Sequence, residues 1–192
     1  LGGLNGRRVR APFDGRAGHD CNRKESRITL IGVLRSIDPS NGRELATFPE
    51  LDEGGIEAAV EQAWFSRHAW RDAGIDLRTE LLRPVAGVLR AEKARFAALM
   101  TAEMGKPIVE AEAEVEKCAW SATWIADNAA RLLADEPIES TATKSYVRYQ
   151  PLGVILAVMP WHFPVCQAFR AGLPALAAGN ATLLKHAPNG PQ

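Results

Sequence analysis

Lys185 closes a short apolar run, Ala181-Thr182-Leu183-Leu184, and is followed by His186, Ala187 and Pro188. A cation at the end of a buried strand can reach the ribose hydroxyls or a phosphate of a bound nucleotide, or it can simply snorkel to solvent. Upstream, a second apolar run ends in Pro160-Trp161-His162. A neutral imidazole donates from one ring nitrogen only, yet its ring reaches further than a side-chain amide. His162 can therefore be a donor to a reacting group or a plain surface-loop histidine. Cys166 stands near a predicted helix N-terminus, where the helix dipole can lower a thiol pKa. A nucleophile and a core thiol are the two readings open to it. Cys21, Cys118 and Cys166 form no CxxC pair and no metal-ligand spacing. The glutamates at 110, 112, 114 and 116 alternate along one segment. Alternate positions lie about 200° apart on a helix, so the four do not converge on a metal or an acid/base centre, and a solvated face is expected.

The elements that must hold these residues are legible from spacing. Leu152–Met159 is apolar without alternation, as in a parallel strand covered on both faces. Pro160 ends it, and Pro164 suits the first turn of a helix whose apolar face is Val165, Phe169, Leu173 and Leu176. Gly179-Asn180 signals its end, and Ala181–Lys185 is the second strand. A βαβ crossover with its loop at the carboxyl end of the first strand is where open α/β sheets bind nucleotides, although no GxGxxG is present. Further upstream, strands are predicted over Ile28–Leu34, Ile37–Asp38 and Glu44–Phe48, with Pro39–Gly42 as the turn. Three long helices follow, near 52–72, 76–104 and 106–134, the second kinked at Pro84. The first carries Ile56, Val60, Ala63 and Trp64 on one side. The third carries a seam of Ile108, Ala111, Val115, Cys118, Ala122, Ile125, Ala129 and Leu132. That seam makes Cys118 a core thiol, and Trp120 and Trp124 are read as packing residues. Lys144–Gln150 alternates as an edge strand.

A composition of 46% hydrophobic and 24% charged residues with zero formal net charge describes a globular protein and gives no reason to expect nucleic acid or an anionic membrane as a partner. No apolar run reaches the roughly 18–20 residues that span a bilayer. Residues 1–27 hold seven Lys/Arg against three Asp/Glu without a hydrophobic period. They are expected to be disordered or a gene-start artefact, and no h-region follows to make a signal peptide. Unpaired cysteines suggest reduced thiols and a cytoplasmic location.

Four separated stretches then carry a resemblance: EMGKP at 103–107, AEVEKCAW at 113–120, PLGVILAVMPWHFP at 151–164 and PALAAGNATLLK at 174–185, the last running on into HAPN. Together they resemble the N-terminal part of the aldehyde dehydrogenase superfamily, in particular its succinate-semialdehyde dehydrogenase branch, over roughly residues 35–192. The resemblance implies NAD- or NADP-dependent oxidation of an aldehyde to an acid through a covalent thioacyl intermediate. It places Pro160, Trp161, His162, Lys185, His186, Ala187 and Pro188 along the coenzyme. In the family the position of His162 is an asparagine that donates to the developing oxyanion, so this chain departs from the pattern there. Many NAD-preferring relatives carry an acid three residues after the lysine. Pro188 stands at that place, and the missing carboxylate makes a 2′-phosphate tolerable. Arg170 matches an arginine that pairs with the distal carboxylate of succinate semialdehyde, a contact suited to a planar guanidinium. The family's nucleophile and its general base lie downstream of the positions in this chain, so Cys166 is read as packing.

The expected architecture is α/β: the N-terminal part of an aldehyde dehydrogenase fold, with a Rossmann-like βαβ unit, flanking helices and a β arm. Residues 28–137 form the first strands and three helices, 138–150 an arm used for homo-oligomerisation, and 151–192 the start of the nucleotide-binding unit. The chain is expected to be an inactive N-terminal piece of such an enzyme, or a non-catalytic nucleotide-binding or assembly module derived from one.

Overall fold

Asp38 organises the first turn. Its carboxylate accepts from the backbone N–H (2.8 Å) and the hydroxyl (2.6 Å) of Ser40 and from the amide of Asn41 (2.8 Å). Gly42, at φ 72°, takes the left-handed conformation that closes the turn. The result, in a computed structural model that describes residues 32–191, is an antiparallel hairpin of β1 (Val33–Ile37) and β2 (Glu44–Pro49) with a register shift between Ser36 and Ile37. The expectations of disorder over residues 1–27 and of a strand over 28–31 lie outside the described residues.

Asp52 then caps α1 (Glu53–Asp72), its side chain accepting from the N–H of Gly55 at 2.7 Å. Of the expected apolar stripe on α1 only Ala63 is buried, while Ile56, Val60 and Trp64 are exposed. The expected second helix is three helices: α2 (Gly74–Leu82), α3 (Val85–Ala91) and α4 (Lys93–Met104). Pro84 has no N–H to continue the ladder, so the helical hydrogen bonding is interrupted there while Arg83 and Pro84 keep right-handed helical dihedrals, as at a kink. A second break falls at Glu92, where the backbone leaves helical values. Among the described residues, five helices therefore precede the crossover instead of three.

Gly105, left-handed at φ 69°, terminates α4, and Pro107 opens α5 (Ile108–Leu132). Helix α5 is the axis of the core: Ala111, Val115, Cys118, Ala119, Ala122 and Ala129 are buried, and α2, α3 and α4 pack on it. The small side chains let neighbouring helices approach closely and leave the volume to Leu82, Leu89, Met100 and Leu173. Trp120 and Trp124 do not join this core. Trp120 is 61% exposed, because the seam faces the helices and the tryptophans lie to its side.

After α5 a small antiparallel pair, β3 (Glu136–Pro137) and β4 (Tyr146–Val147), forms an arm shorter than the 144–150 strand expected. Arg148 grips Asp135 with two hydrogen bonds of 2.9 and 2.6 Å, and the Tyr149 hydroxyl donates to Glu136 at 2.6 Å. The chain then enters β5 (Val154–Val158), crosses through α6 (Pro164–Ala177) and returns as β6 (Ala181–Lys185), parallel to β5 with Val154 opposite Ala181 and Val158 opposite Lys185. This is the predicted βαβ unit. The burial differs from expectation: Leu156 and Val158 of β5 are 63% and 66% exposed, so the pair is not covered on both faces within the described residues.

Helix α6 is held at both ends by side chains from elsewhere. At its C-terminus the indole of Trp70 donates to Leu176 O (2.8 Å), and Arg78 donates to Ala177 O (3.0 Å) while also reaching Arg71 O (2.9 Å). Asn180, buried in the turn that follows, donates to Ala175 O and accepts from the N–H of Gly153 at 3.0 Å. These are the orphan carbonyls of a helix end, satisfied one by one.

Candidate functional site

The parallel pairing of β5 with β6 ends at Val158 and Lys185, and one more bond, Met159 N–H to Lys185 O at 2.9 Å, carries the alignment into the following loop. The loop 159–163 and the residues after Lys185 are thereby set side by side. Between them lies a shallow groove lined by Pro160, Trp161, Pro164, Leu184, His186 and Ala187, among others. Of the seven residues read as lying along a coenzyme, the structure brings Pro160, Trp161, His186 and Ala187 to this groove. His162, Lys185 and Pro188 are not among its lining residues.

Lys185 is exposed, and its ammonium donates to the carbonyl of His186 at 2.6 Å. It has no carboxylate partner among the described residues, and Pro188 offers none. Two of its N–H donors remain for a ligand. His186 is braced in turn, its Nδ1 lying 2.8 Å from Ala187 O.

His162 is exposed, its ring edge-on between those of Trp161 (centroids 6.0 Å apart) and Phe163 (5.3 Å). No hydrogen bond to its ring nitrogens is formed among the described residues, so whichever nitrogen carries the proton is free to donate. Its backbone is not free. The Lys106 ammonium lies 3.4 Å from His162 O and 4.0 Å from the centroid of the Phe163 ring, and it forms a buried ion pair with Glu114. Glu114 also accepts from the N–H of Cys166 at 2.8 Å, in the first turn of α6. Its side chain is 1% exposed, so the expectation of a solvated face fails at this glutamate. The other three, Glu110, Glu112 and Glu116, do not share its burial, and Glu116 pairs with Arg90 at 2.8 Å.

Lys106 and Glu114 are the polar residues that sequence reasoning missed. The signal was present: Glu114 lies three residues after Ala111 and four before Cys118, hence on the apolar seam itself. A carboxylate on a buried face requires a partner, and Lys106, just before α5, supplies it.

The two described cysteines lie against each other at the α5–α6 contact. Burial, and then the neighbouring Cys166 thiol, push the Cys118 thiol well above its usual range, so Cys118 stays protonated. Cys166 is partly buried against the core cluster, in keeping with packing. Arg170 is one turn beyond Cys166 on α6, exposed, and forms no ion pair among the described residues. Among the described residues no group of His, Cys, Asp and Glu could hold a metal ion, and no helix is long and apolar enough to cross a membrane.

This arrangement, a lysine without a carboxylate beyond one parallel strand and a donor loop beyond its neighbour, can be compared with known proteins. The sequence model of the aldehyde dehydrogenase family matches residues 30–192. The chain belongs to the aldehyde dehydrogenase family. It is 45% identical over 160 residues to a probable NADP-dependent succinate-semialdehyde dehydrogenase of Synechocystis sp., covering 83% of this chain and 35% of the relative. A succinate semialdehyde dehydrogenase of Escherichia coli named for NAD(P) is 42% identical, over 84% of this chain and 35% of its own length. Among solved structures, succinic semialdehyde dehydrogenase of Streptococcus pyogenes in complex with NADP superposes with a TM-score of 0.78 at 36% identity, over 82% of this chain and 35% of that one. The α/β fold is therefore that of an aldehyde dehydrogenase, and the chain spans about a third of the length of the curated relatives it matches.

Proposed function

We propose that this chain serves the NAD- or NADP-dependent oxidation of succinate semialdehyde to the acid, as the part of the enzyme that holds the coenzyme and one end of the substrate. The carrying observation is Lys185 at the end of β6, with two donors left and no ion pair to a carboxylate among the described residues. That arrangement fits a phosphorylated adenosine ribose, because an acid three residues on would repel the 2′-phosphate and Pro188 does not. Pro160, Trp161, His186 and Ala187 would form the walls against which the coenzyme lies. When bound, the coenzyme supplies a hydride acceptor.

The remaining roles belong to this chain's own side chains. His162, with free ring nitrogens, donates a hydrogen bond to the oxyanion that develops on the aldehyde oxygen. Arg170, with no partner of its own, pairs through its guanidinium with the distal carboxylate of the substrate. The relatives named for NADP or NAD(P) and for succinate semialdehyde support both halves of this reading. The β3–β4 arm, exposing Ile138, Tyr146 and Val147, carries the protein into a homo-oligomer in the cytoplasm.

Titration of the full-length protein with both coenzymes tests the reading. NADP should bind at least comparably to NAD. A hundredfold preference for NAD, about 2.7 kcal/mol, would refute it. The 192-residue polypeptide alone is expected to form no reduced coenzyme from an aldehyde, because Cys118 is protonated and buried and Cys166 packs on the core. Turnover by this polypeptide that disappears in Cys166→Ser would reverse that assignment.

A further inference from the structure

We propose that Lys106 and Glu114 are positioning residues for the oxyanion-donor loop, one buried ion pair that fixes where the backbone of residue 162 lies. The proposal rests on the role of His162 given above. Three contacts carry it, and all three end within residues 162–166. The Lys106 ammonium touches His162 O (3.4 Å) and lies over the Phe163 ring (4.0 Å), while Glu114 takes the N–H of Cys166 (2.8 Å). The pair has its other foot on α5, the axis of the core, and the left-handed turn at Gly105 directs Lys106 toward it.

Each contact does a different job. Glu114 satisfies an orphan N–H in the first turn of α6 and places negative charge at the positive end of the helix dipole, which sets the start of α6. Lys106 neutralises that carboxylate and uses its remaining donor capacity on the loop carbonyl, which ties the loop to the helix start. The ring of Phe163 is held beneath the ammonium, and the His162 imidazole packs edge-on against that ring. The chain of contact from α5 to the imidazole is thus unbroken.

The test uses full-length protein and the pre-steady-state rate of reduced-coenzyme formation. The double substitution Lys106→Met/Glu114→Gln removes the pair without stranding a buried charge, and the new amide oxygen still accepts from Cys166 N–H. The rate should fall about 10²-fold, as expected for a misplaced catalytic group, with the coenzyme KM changed by less than about twofold. On a His162→Ala background the same double substitution should cost less than about threefold, because the group it positions is gone. Full multiplication of the two losses would overturn the positioning role. A His162→Ala enzyme as fast as wild type would instead overturn the oxyanion reading and the positioning role with it. Should the double variant not fold, Phe163→Leu deletes only the ring beneath the ammonium and leaves the ion pair intact. It should slow the reaction at least about threefold, again only where His162 is present, and an unchanged rate would refute the proposal.

Discussion

Replacing Arg78 by Met keeps the length of the side chain and deletes its donors, which makes it a clean probe of how α6 is held. Arg78 bridges Arg71 O and Ala177 O at 2.9 and 3.0 Å, and its residue is 8% exposed. A hydrogen bond from a charged donor contributes about 1.5–3 kcal/mol net. Two such bonds do not add in full, because water reaches the freed carbonyls once the helix ends relax. About 2 kcal/mol of local stability at the α6 C-terminus is therefore expected to be lost. Since 1.4 kcal/mol is a factor of ten, that corresponds to roughly 30-fold faster amide exchange. The reporters are the N–H groups of Ala178 and Asn180, bonded to Pro174 O and Ala175 O. Hydrogen-exchange mass spectrometry of peptides spanning 174–182 measures them, with α5 as the internal reference. Arg78→Lys, which can reach one carbonyl but not span two, should fall between. Less than about threefold acceleration in the Met variant would refute the capping argument, and equal acceleration in α5 would show a global effect instead.

Two further outcomes are expected. In full-length enzyme Arg170→Ala should raise KM for succinate semialdehyde by the equivalent of about 1.5–3 kcal/mol and leave an uncharged aldehyde of similar length nearly unchanged; equal effects on both would make Arg170 structural. The β3–β4 arm should be ordered only between two limits of pH. The Arg148 hydrogen bonds hold Asp135 below its ordinary value, so its stabilising contribution is complete above about 3.8 and is lost as pH falls through the depressed value. The hydrogen bond to Glu136 raises Tyr149, whose contribution is complete below about 10.0 and is lost as pH rises through the raised value. Tyrosine absorbance and arm-peptide proteolysis across pH measure both limits, and an arm equally ordered beyond them would refute the pairing.

The parts legible in the sequence were those written in apolar spacing. The β5–α6–β6 crossover follows from two apolar runs and two prolines, and the middle of the α5 core face from steps of three and four, whereas the outer seam residues Ile108 and Leu132 are exposed. The missing N–H of Pro84 interrupts the ladder between α2 and α3, while the backbone at Arg83 and Pro84 stays helical. The break at Glu92 has neither proline nor glycine to announce it; α4 turns there to pack on α5, a tertiary demand that overrides local preference. Apolar spacing misleads on α1, where Ile56, Val60 and Trp64 share a stripe with Ala63 yet are exposed, and Trp120, expected to pack, also lies outside the buried core. At the site, Pro160, Trp161, His186 and Ala187 meet at a groove because strand ends converge in any βαβ unit, whereas His162 and Lys185 are not among its lining residues. The Lys106–Glu114 pair could not be read in the same way. Its contact depends on how α6 settles against α5, and a run of alternating glutamates hid the one that points inward.

Helix α6 is anchored where it begins, by Glu114, and where it stops, by Trp70, Arg78 and Asn180. A beam clamped at both supports can be re-dressed along its span without moving what hangs from its ends. If Arg170 meets the substrate as proposed, its exposed mid-helix position is a place where substrate preference can be exchanged while the 159–163 loop and the Lys185 strand stay where they are. On the proposed function, choosing an aldehyde and handling its coenzyme would be separated along this single helix.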